Sequence, residues 1–387
     1  MVSHCGLMVE TGSRDETEKE NGLAHMIEHL IFKGTRKRKT WHILSRIENV
    51  GGELNAYTTK EETVIYASFL SPWYERTLEL FADVAFNSVF PEKEVMKEKE
   101  VILDEINSYN DSPAELIYDD FEELIFDGHP LGRNILGSIK NVKGFSRTDI
   151  IRFLKSHYST RNMVIASVGD IDFGRLKALA ERYFENITTA AHQSVRKPFK
   201  QYRPSDKSVK KESFLSHLML GAPAYSVMDK KKPAMMLLNN LLGGAAMNSR
   251  LNMAIREKYG FAYQIESYYQ PYSDTGVFSV YMGTDQKHVN KGIDLIKKEL
   301  NRLKNKKAGT LQFDRALKQF MGQMAISYEV PVNEMLGIAR SHLYRNRVNT
   351  FEQNIEVIKN LTASDLLEVA NEVFSFDRLS QLIYESK

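Results

Sequence analysis

The two halves of the chain repeat one order of predicted elements, and this repeat constrains the fold more than any other feature. Each half runs helix, glycine turn, paired strands and two long helices. In the first half these are a helix at 40–50, strands at 54–59 and 63–70, and helices at 73–89 and 92–108. In the second half they are a helix at 248–259, strands at 261–270 and 275–282, and helices at 286–303 and 311–327. The duplication predicts an α+β protein with two homologous domains, each a mixed β-sheet packed with helices.

An irregular segment at 186–212 separates the halves. Pro198 and Pro204, together with many Lys, Arg and Ser residues, interrupt the periodicity there. We therefore expect a first domain at 1–185, a linker at 186–212 and a second domain at 213–387. Only the first half carries an additional predicted helix, at 21–33, that is rich in metal-ligand residue types. One catalytic domain and one supporting domain are expected.

Composition excludes several classes of function. The 387 residues are 42% hydrophobic and 26% charged, which is typical of a globular protein. A net charge of +2 does not favour nucleic acid as the main partner, and the lack of an 18-residue apolar run predicts no membrane span. The single cysteine, Cys5, cannot form an internal disulfide, which fits a reducing compartment and is also compatible with a periplasmic or organellar one. With no basic segment of a secretory signal at 1–13, we expect a cytoplasmic location. Residues 1–13 are predicted to form a strand, and a chain that starts directly in a strand is compatible both with a natural start at Met1 and with further sequence upstream.

The segment LAHMIEHL places His25 and His29 four residues apart, with Glu28 beside the second. On a helix, His29 lies about 40° round from His25 and one turn along, so both imidazoles can reach one point. This H-x-x-E-H arrangement supplies two nitrogen ligands and a carboxylate beside the open position of a metal ion. Chance supplies it on the order of once in fifty such chains, so a third protein ligand is needed to support a catalytic zinc site.

The predicted helix at 92–108 carries six carboxylates, most of which must face solvent. Glu98 and Glu105 are seven residues apart and lie about 20° from one line along the helix, so they share a face. On spacing alone, Glu105, Asp104 and Glu98 remain alternatives for the third ligand. Glu98 is also typical of an ordinary charge on a helix surface.

Five segments of the chain resemble the pitrilysin-type zinc peptidases with the inverted H-x-x-E-H motif, which include the mitochondrial processing peptidase and bacterial relatives. These segments are GLAHMIEHLIFKGT at 22–35, GGELNAYTTKEETVIY at 51–66, EKEVILDEI at 98–106, HPLGRNILG at 129–137 and SRLNMAIREKYGFAY at 249–263. The resemblance covers nearly the whole chain in order. It implies a zinc-dependent metalloendopeptidase that hydrolyses extended or unfolded peptides held in an enclosed chamber.

The resemblance also implies roles for residues of the first half. In the family the third ligand follows the second histidine by 76 residues, which selects Glu105, so His25, His29 and Glu105 would bind one Zn²⁺ per chain. Glu28 would act as the general base that activates a zinc-bound water. Glu98 would orient one of the ligands by hydrogen bonding, without binding the metal itself.

Peptide contacts are implied at two further places. Asn55 and Ala56 match the family strand to which an extended peptide adds, although a plain β-hairpin at 51–70 explains the same residues. Arg256 and Tyr263 match the family positions that contact the substrate backbone or the tetrahedral intermediate. On the residues alone, Arg256 is typical of an exposed helix end.

The long members of the family join four such domains, so a two-domain chain is expected to form a homodimer or to pair with a homologous subunit. The alternative from another class is a non-catalytic scaffold subunit of the same fold. Such subunits typically lose ligands, whereas this chain retains all of His25, Glu28, His29 and Glu105. A metal-dependent hydrolase of another substrate class is the remaining alternative.

Overall fold

The computed structural model describes residues 1–187 and 196–387. The strands of this part are β1 Val2–Val9, β2 Glu53–Thr58, β3 Thr63–Leu70, β4 Met163–Val168, β5 Asp206–Lys211, β6 Ser216–Ala224, β7 Ala262–Pro271, β8 Gly276–Thr284 and β9 Ser380–Ser386. The helices are α1 Leu23–Leu30, α2 Thr40–Glu48, α3 Tyr74–Asn87, α4 Glu92–Asn110, α5 Pro113–Ile125, α6 Ile139–Gly144, α7 Arg147–His157, α8 Phe173–Phe184, α9 Lys232–Gly243, α10 Val289–Asn305, α11 Thr310–Tyr328, α12 Pro331–Arg345, α13 Phe351–Lys359 and α14 Ala363–Val373. A π-helix at Asn252–Glu257 follows α9.

The chain forms two compact units, and each contains a helix from the opposite half of the sequence. The first unit comprises Met1–Ser108, Arg133–Lys197 and Ser327–Val348, and therefore includes α12. The second comprises Tyr109–Gly132, Pro198–Ile326 and Asn349–Lys387, and therefore includes α5.

The first unit is built on an antiparallel sheet of order β2-β3-β1-β4. Successive side chains of a strand point to opposite faces, so β1 contributes to two cores. Cys5 and Leu7 pack with residues of α2 and α3, whereas Met8 packs with Met335 and Ala339 of α12. In this order β2 lies at an edge, paired only with β3 among the described strands.

A separate apolar core holds α1 against α4 in the first unit. Leu23, Ile27 and Leu30 of α1 pack with residues of α4 and α7. On α4 the buried residues Val95, Ile102 and Ile106 recur at helical spacing, so one face of that helix turns toward α1. This packing fixes the two helices that carry the predicted ligands.

The second unit is built on a five-stranded sheet of order β5-β9-β6-β8-β7. Its strands are antiparallel except for the β5–β9 pair, which is parallel. Residues of α9, α10 and α14 pack on one face of the sheet, and residues of α5 pack with Tyr281 and Leu382 of the strands.

The predicted α+β class with two homologous domains is confirmed. The compact units differ from the contiguous 1–185 and 213–387 division, because α5 and α12 each bury their apolar face in the unit formed mainly by the other half. The expected linker at 186–212 also differs, because Asp206–Lys211 pairs with β9 as a strand, while residues 188–195 lie outside the described part of the chain.

Two further local differences concern the helices that carry predicted site residues. The helix expected at 21–33 is shorter, and α1 ends at Leu30. The helix expected at 248–259 contains the π-helix, whose wider turn local residue preferences do not reveal. No helix in the described ranges combines the length and the apolarity needed to cross a bilayer.

Candidate metal centre

The N-terminus of helix α1 follows a glycine with a positive φ, and a buried carboxylate caps it. Gly22 precedes the helix with φ +103°, and a Cβ there would lie 2.8 Å from the carbonyl oxygen of Leu136. Glu16 accepts hydrogen bonds from the backbone N–H groups of Gly22 at 3.0 Å and Ala24 at 2.7 Å. These bonds satisfy helix donors that would otherwise lack partners and set where α1 begins.

Sequence reasoning missed Glu16, which is 3% exposed. Burial raises its pKa to about 8, and the donors from Ala24, Gly22 and Asn21 act in the opposite direction. The available signal was a carboxylate a few residues before a helix, which is where helix dipoles favour negative charge. The side-chain hydrogen bonds of Glu16 are made to Asn21, Gly22 and Ala24, so its role is to cap α1.

The structure brings together the side chains of His25, His29 and Glu105. One ligand atom from each lies within 4.8 Å of the other two. Glu105 Oε2 is 3.7 Å from His25 Nε2 and 3.5 Å from His29 Nε2. The two imidazole rings meet edge to face, with centroids 4.6 Å apart.

The spacing of these atoms fits a tetrahedral metal ion. Bonds of about 2.0–2.2 Å to a tetrahedral zinc place neighbouring ligand atoms roughly 3.3–3.6 Å apart. The contacts of 3.5 and 3.7 Å between Glu105 Oε2 and the two Nε2 atoms are close to that range. Two imidazole nitrogens and one carboxylate oxygen are also a donor set that zinc accepts, with a fourth position open.

The protonation of His25 supports a ligand arrangement over an ion pair. Burial, with a further contribution from His29, lowers the pKa of His25 to about 4. The ring is therefore neutral near pH 7, and its contact with Glu105 is not a salt bridge. A neutral imidazole is the form that binds metal ions. His25 Nδ1 is buried and has no hydrogen-bond partner among the described residues, so the polar contact of this ring is on the Nε2 side.

Glu98 and Lys33 form a second layer behind His29. Glu98 is 7% exposed, and its Oε2 accepts a hydrogen bond from His29 Nδ1 at 3.2 Å. An ionised carboxylate can only accept, so this contact favours the His29 tautomer that carries its proton on Nδ1 and turns the Nε2 lone pair toward Glu105. The other carboxylate oxygen, Oε1, lies 2.7 Å from Lys33 Nζ. Sequence reasoning missed Lys33, although it is four residues after His29.

Of the three carboxylates that spacing left open, two face the histidines. Glu105 lies beside both Nε2 atoms and Glu98 beside one Nδ1 atom, whereas Asp104 is exposed on another face of α4. Glu98 is buried and paired, so it is not an ordinary surface charge.

Glu28 is half-buried on α1 next to His29. Burial raises its pKa above the usual glutamate range; the nearby Thr58 and His29 act in the opposite direction, while Glu105 adds to the rise. Thr58, the last residue of the edge strand β2, therefore lies beside Glu28. Asn55 and Ala56 lie on the same strand, opposite Tyr66 and Ile65 of β3, and Asn55 is exposed.

Arg256 and Tyr263 belong to the second unit, and both lie at backbone irregularities. Arg256 is exposed in the π-helix Asn252–Glu257. Tyr263 is 59% exposed at a register shift between Ala262 and Gln264 of β7. Such irregularities are frequent at functional sites because they redirect a side chain.

The fold and the cluster together define a class: an α+β protein of two homologous domains, one of which holds a His–His–Glu set suited to a divalent metal ion. The chain belongs to the insulinase family, peptidase family M16, as the resemblance implied. Residues 1–139 match the family model described as Insulinase (Peptidase family M16), and residues 144–320 match the model described as Peptidase M16 inactive domain.

Relatives named as zinc proteases or as a processing peptidase subunit align with nearly the whole chain. A protein of Rickettsia bellii described as an uncharacterized zinc protease is 32% identical over 377 residues, which are 97% of this chain and 91% of the relative. One of Bacillus subtilis with a similar description is 30% identical over 384 residues, 98% of this chain and 92% of the relative. The mitochondrial-processing peptidase subunit beta of Saccharomyces cerevisiae is 29% identical over 381 residues, 95% of this chain and 82% of the relative.

Solved structures share the fold. A protease from Helicobacter pylori superimposes with a TM-score of 0.91 at 23% identity, covering 99% of this chain and 94% of that one. A Peptidase M16 inactive domain structure from Pseudomonas fluorescens gives a TM-score of 0.92 at 20% identity, covering 100% of this chain and 93% of that one. At these identities the likeness concerns the fold alone.

Proposed function

We propose that this chain is a zinc-dependent metalloendopeptidase that hydrolyses extended or unfolded peptides. The observation that carries the proposal is the convergence of His25, His29 and Glu105, with one ligand atom of each within 4.8 Å of the others. When bound, a zinc ion supplies a Lewis acid that polarises the scissile carbonyl and makes hydroxide available near neutral pH. His25, His29 and Glu105 would hold one such ion per chain.

Glu28 is proposed as the general base and acid of the reaction. It would take a proton from the attacking water as the oxygen bonds to the carbonyl carbon. It would then return that proton to the nitrogen as the carbon–nitrogen bond breaks. Its raised pKa moves its proton affinity toward neutral pH, which favours transfer in both directions.

The edge strand β2 is proposed to bind the substrate backbone. An extended peptide can add to a free strand edge through main-chain hydrogen bonds, which tolerate many side chains. Asn55 and Ala56 lie on this strand, and Thr58 ends it beside Glu28. The site would then favour an unfolded or flexible segment, because most strands of a folded protein already pair their backbone groups with neighbouring strands.

Assembly and location complete the proposal. The Saccharomyces cerevisiae relative is named as a beta subunit, which supports pairing with a second copy or a homologous subunit to enclose a chamber. Cys5 is the only cysteine and its thiol is buried, which is compatible with a cytoplasmic location. The retained ligand set favours an active peptidase over a scaffold subunit.

Cleavage of an unstructured, internally quenched peptide tests the proposal. The purified full chain is expected to cleave it, to lose activity when a chelator removes the metal, and to regain activity with stoichiometric zinc. Internal cleavage sites, read by mass spectrometry, distinguish an endopeptidase from an enzyme that trims ends. Turnover that survives complete removal of zinc would contradict the proposal.

Arg256→Ala is expected to lower turnover about 10²- to 10³-fold, the usual loss when one donor to a developing oxyanion is removed. Bound zinc should remain at one per chain, because Arg256 belongs to the second unit and the ligands to the first. Arg315→Ala, which removes another exposed arginine of the second unit on α11, serves as the matched control. If the two variants have equal activity, Arg256 has no part in the reaction and is an ordinary surface residue.

A further inference from the structure

Lys33 forms an ion pair with Glu98, the carboxylate that is hydrogen-bonded to His29. Its Nζ is 2.7 Å from Glu98 Oε1, while Glu98 Oε2 accepts from His29 Nδ1 at 3.2 Å. Each oxygen of the carboxylate therefore faces a different partner. The chain of contacts runs from a cation through a buried carboxylate to a ring whose other nitrogen faces Glu105.

Burial gives this ion pair more weight than a surface pair. Glu98 has a side chain only 9% exposed, and that of Lys33 is 29% exposed. A buried carboxylate is costly without a compensating cation or donors, whereas exposed pairs contribute little. Removing Lys33 would leave Oε1 without this partner and would favour rotation of the carboxylate, which also orients His29.

We propose that Lys33 is a positioning residue for the metal centre, acting through Glu98 on the orientation of His29. This inference rests on the proposed metal site. Loss of an outer hydrogen-bond partner typically costs about 10- to 100-fold in metal affinity. Lys33 acts on His29 through Glu98, so we expect that replacing Lys33 weakens zinc binding about tenfold, the smaller of these losses.

The test is the zinc dissociation constant, measured at fixed pH by competition with a chromophoric chelator on the purified full chain. K33M is expected to bind zinc about tenfold more weakly, whereas K33R, which keeps a cation and donors, should recover most of the loss. K97M is the matched control, because Lys97 also pairs with a glutamate of α4, but with an exposed side chain. It should match the wild type.

A double-mutant comparison tests the route through Glu98. If Lys33 acts only on that carboxylate, K33M/E98Q should bind zinc as weakly as E98Q alone. Further weakening in the double variant would contradict this route. Thermal unfolding of the metal-free variants measures the cost of leaving the buried Glu98 carboxylate without its cation, so a lower midpoint is expected for K33M. Zinc affinity is therefore compared well below the lowest midpoint, where every variant is folded. Wild-type affinity of K33M under those conditions would leave Lys33 with a structural role only.

The outcomes separate this inference from the proposed function. A wild type that binds no zinc would overturn the proposed function itself. A wild type that binds zinc, with K33M equal to it, would overturn the role of Lys33 alone. Tighter binding by K33M would also overturn it, because relief of repulsion between the ammonium and the dication would then outweigh orientation.

Discussion

Replacing Glu28 by Gln is expected to reduce peptide turnover by about 10²- to 10⁴-fold, or about 2.7–5.5 kcal/mol, while zinc remains bound. The amide fills the same space but cannot accept a proton from water. Because His25, His29 and Glu105 are unchanged, the cluster should still hold its ion. Turnover of the quenched peptide and zinc content of the same preparation are the two measurements.

The matched control for Glu28→Gln is Glu48→Gln, the same change at the exposed end of α2. It should leave both turnover and zinc content as in the wild type. Near-normal turnover of Glu28→Gln would remove Glu28 from the mechanism. Simultaneous loss of zinc would instead give it a role in holding the ion.

Elements set by local patterns were predicted closely. The strand expected at 63–70 is β3 itself, and the long helix expected at 92–108 corresponds to α4, Glu92–Asn110. In both segments the apolar spacing and the flanking turn residues carry the information. The repeat of elements between the halves therefore sufficed to predict two homologous α+β domains.

The differences arise where distant parts of the chain decide the outcome. Asp206–Lys211 has the sequence DKSVKK, which is too polar to predict a strand, yet it pairs in parallel with β9 near the other end of the chain. Charged residues are common on edge strands because they oppose further pairing. Likewise, the apolar faces of α5 and α12 predict burial but do not specify which sheet they cover.

At the candidate site, the sequence proposed residues but could not give their arrangement. Glu98 and Glu105 lie on one line of α4, so periodicity treats them alike, and only the family resemblance selected Glu105. In the structure both approach His29, one at Nδ1 and the other at Nε2. Which nitrogen each carboxylate meets depends on how α1 and α4 pack, and that packing involves residues of α7 as well.

Removing either of two predicted ligands should abolish stable zinc binding. His29→Ala takes away Nε2, and Glu105→Gln replaces a carboxylate oxygen by a neutral amide. Loss of a hydrogen-bond partner of a ligand typically weakens metal binding about 10- to 100-fold. Loss of a ligand itself should weaken zinc binding by more than that. Elemental analysis after gel filtration is expected to fall from one zinc per chain toward none, and peptide turnover should fall with it.

Neighbouring residues provide matched controls for this prediction. Asp104→Asn makes the same chemical change one position away, at an exposed residue of α4, and His42→Ala removes an exposed histidine of α2. Both should keep one zinc per chain. If Asp104→Asn loses zinc and Glu105→Gln keeps it, the third ligand is misassigned. Retention of one zinc by His29→Ala would be more serious, because two nitrogens from α1 are the minimum that the proposed centre requires.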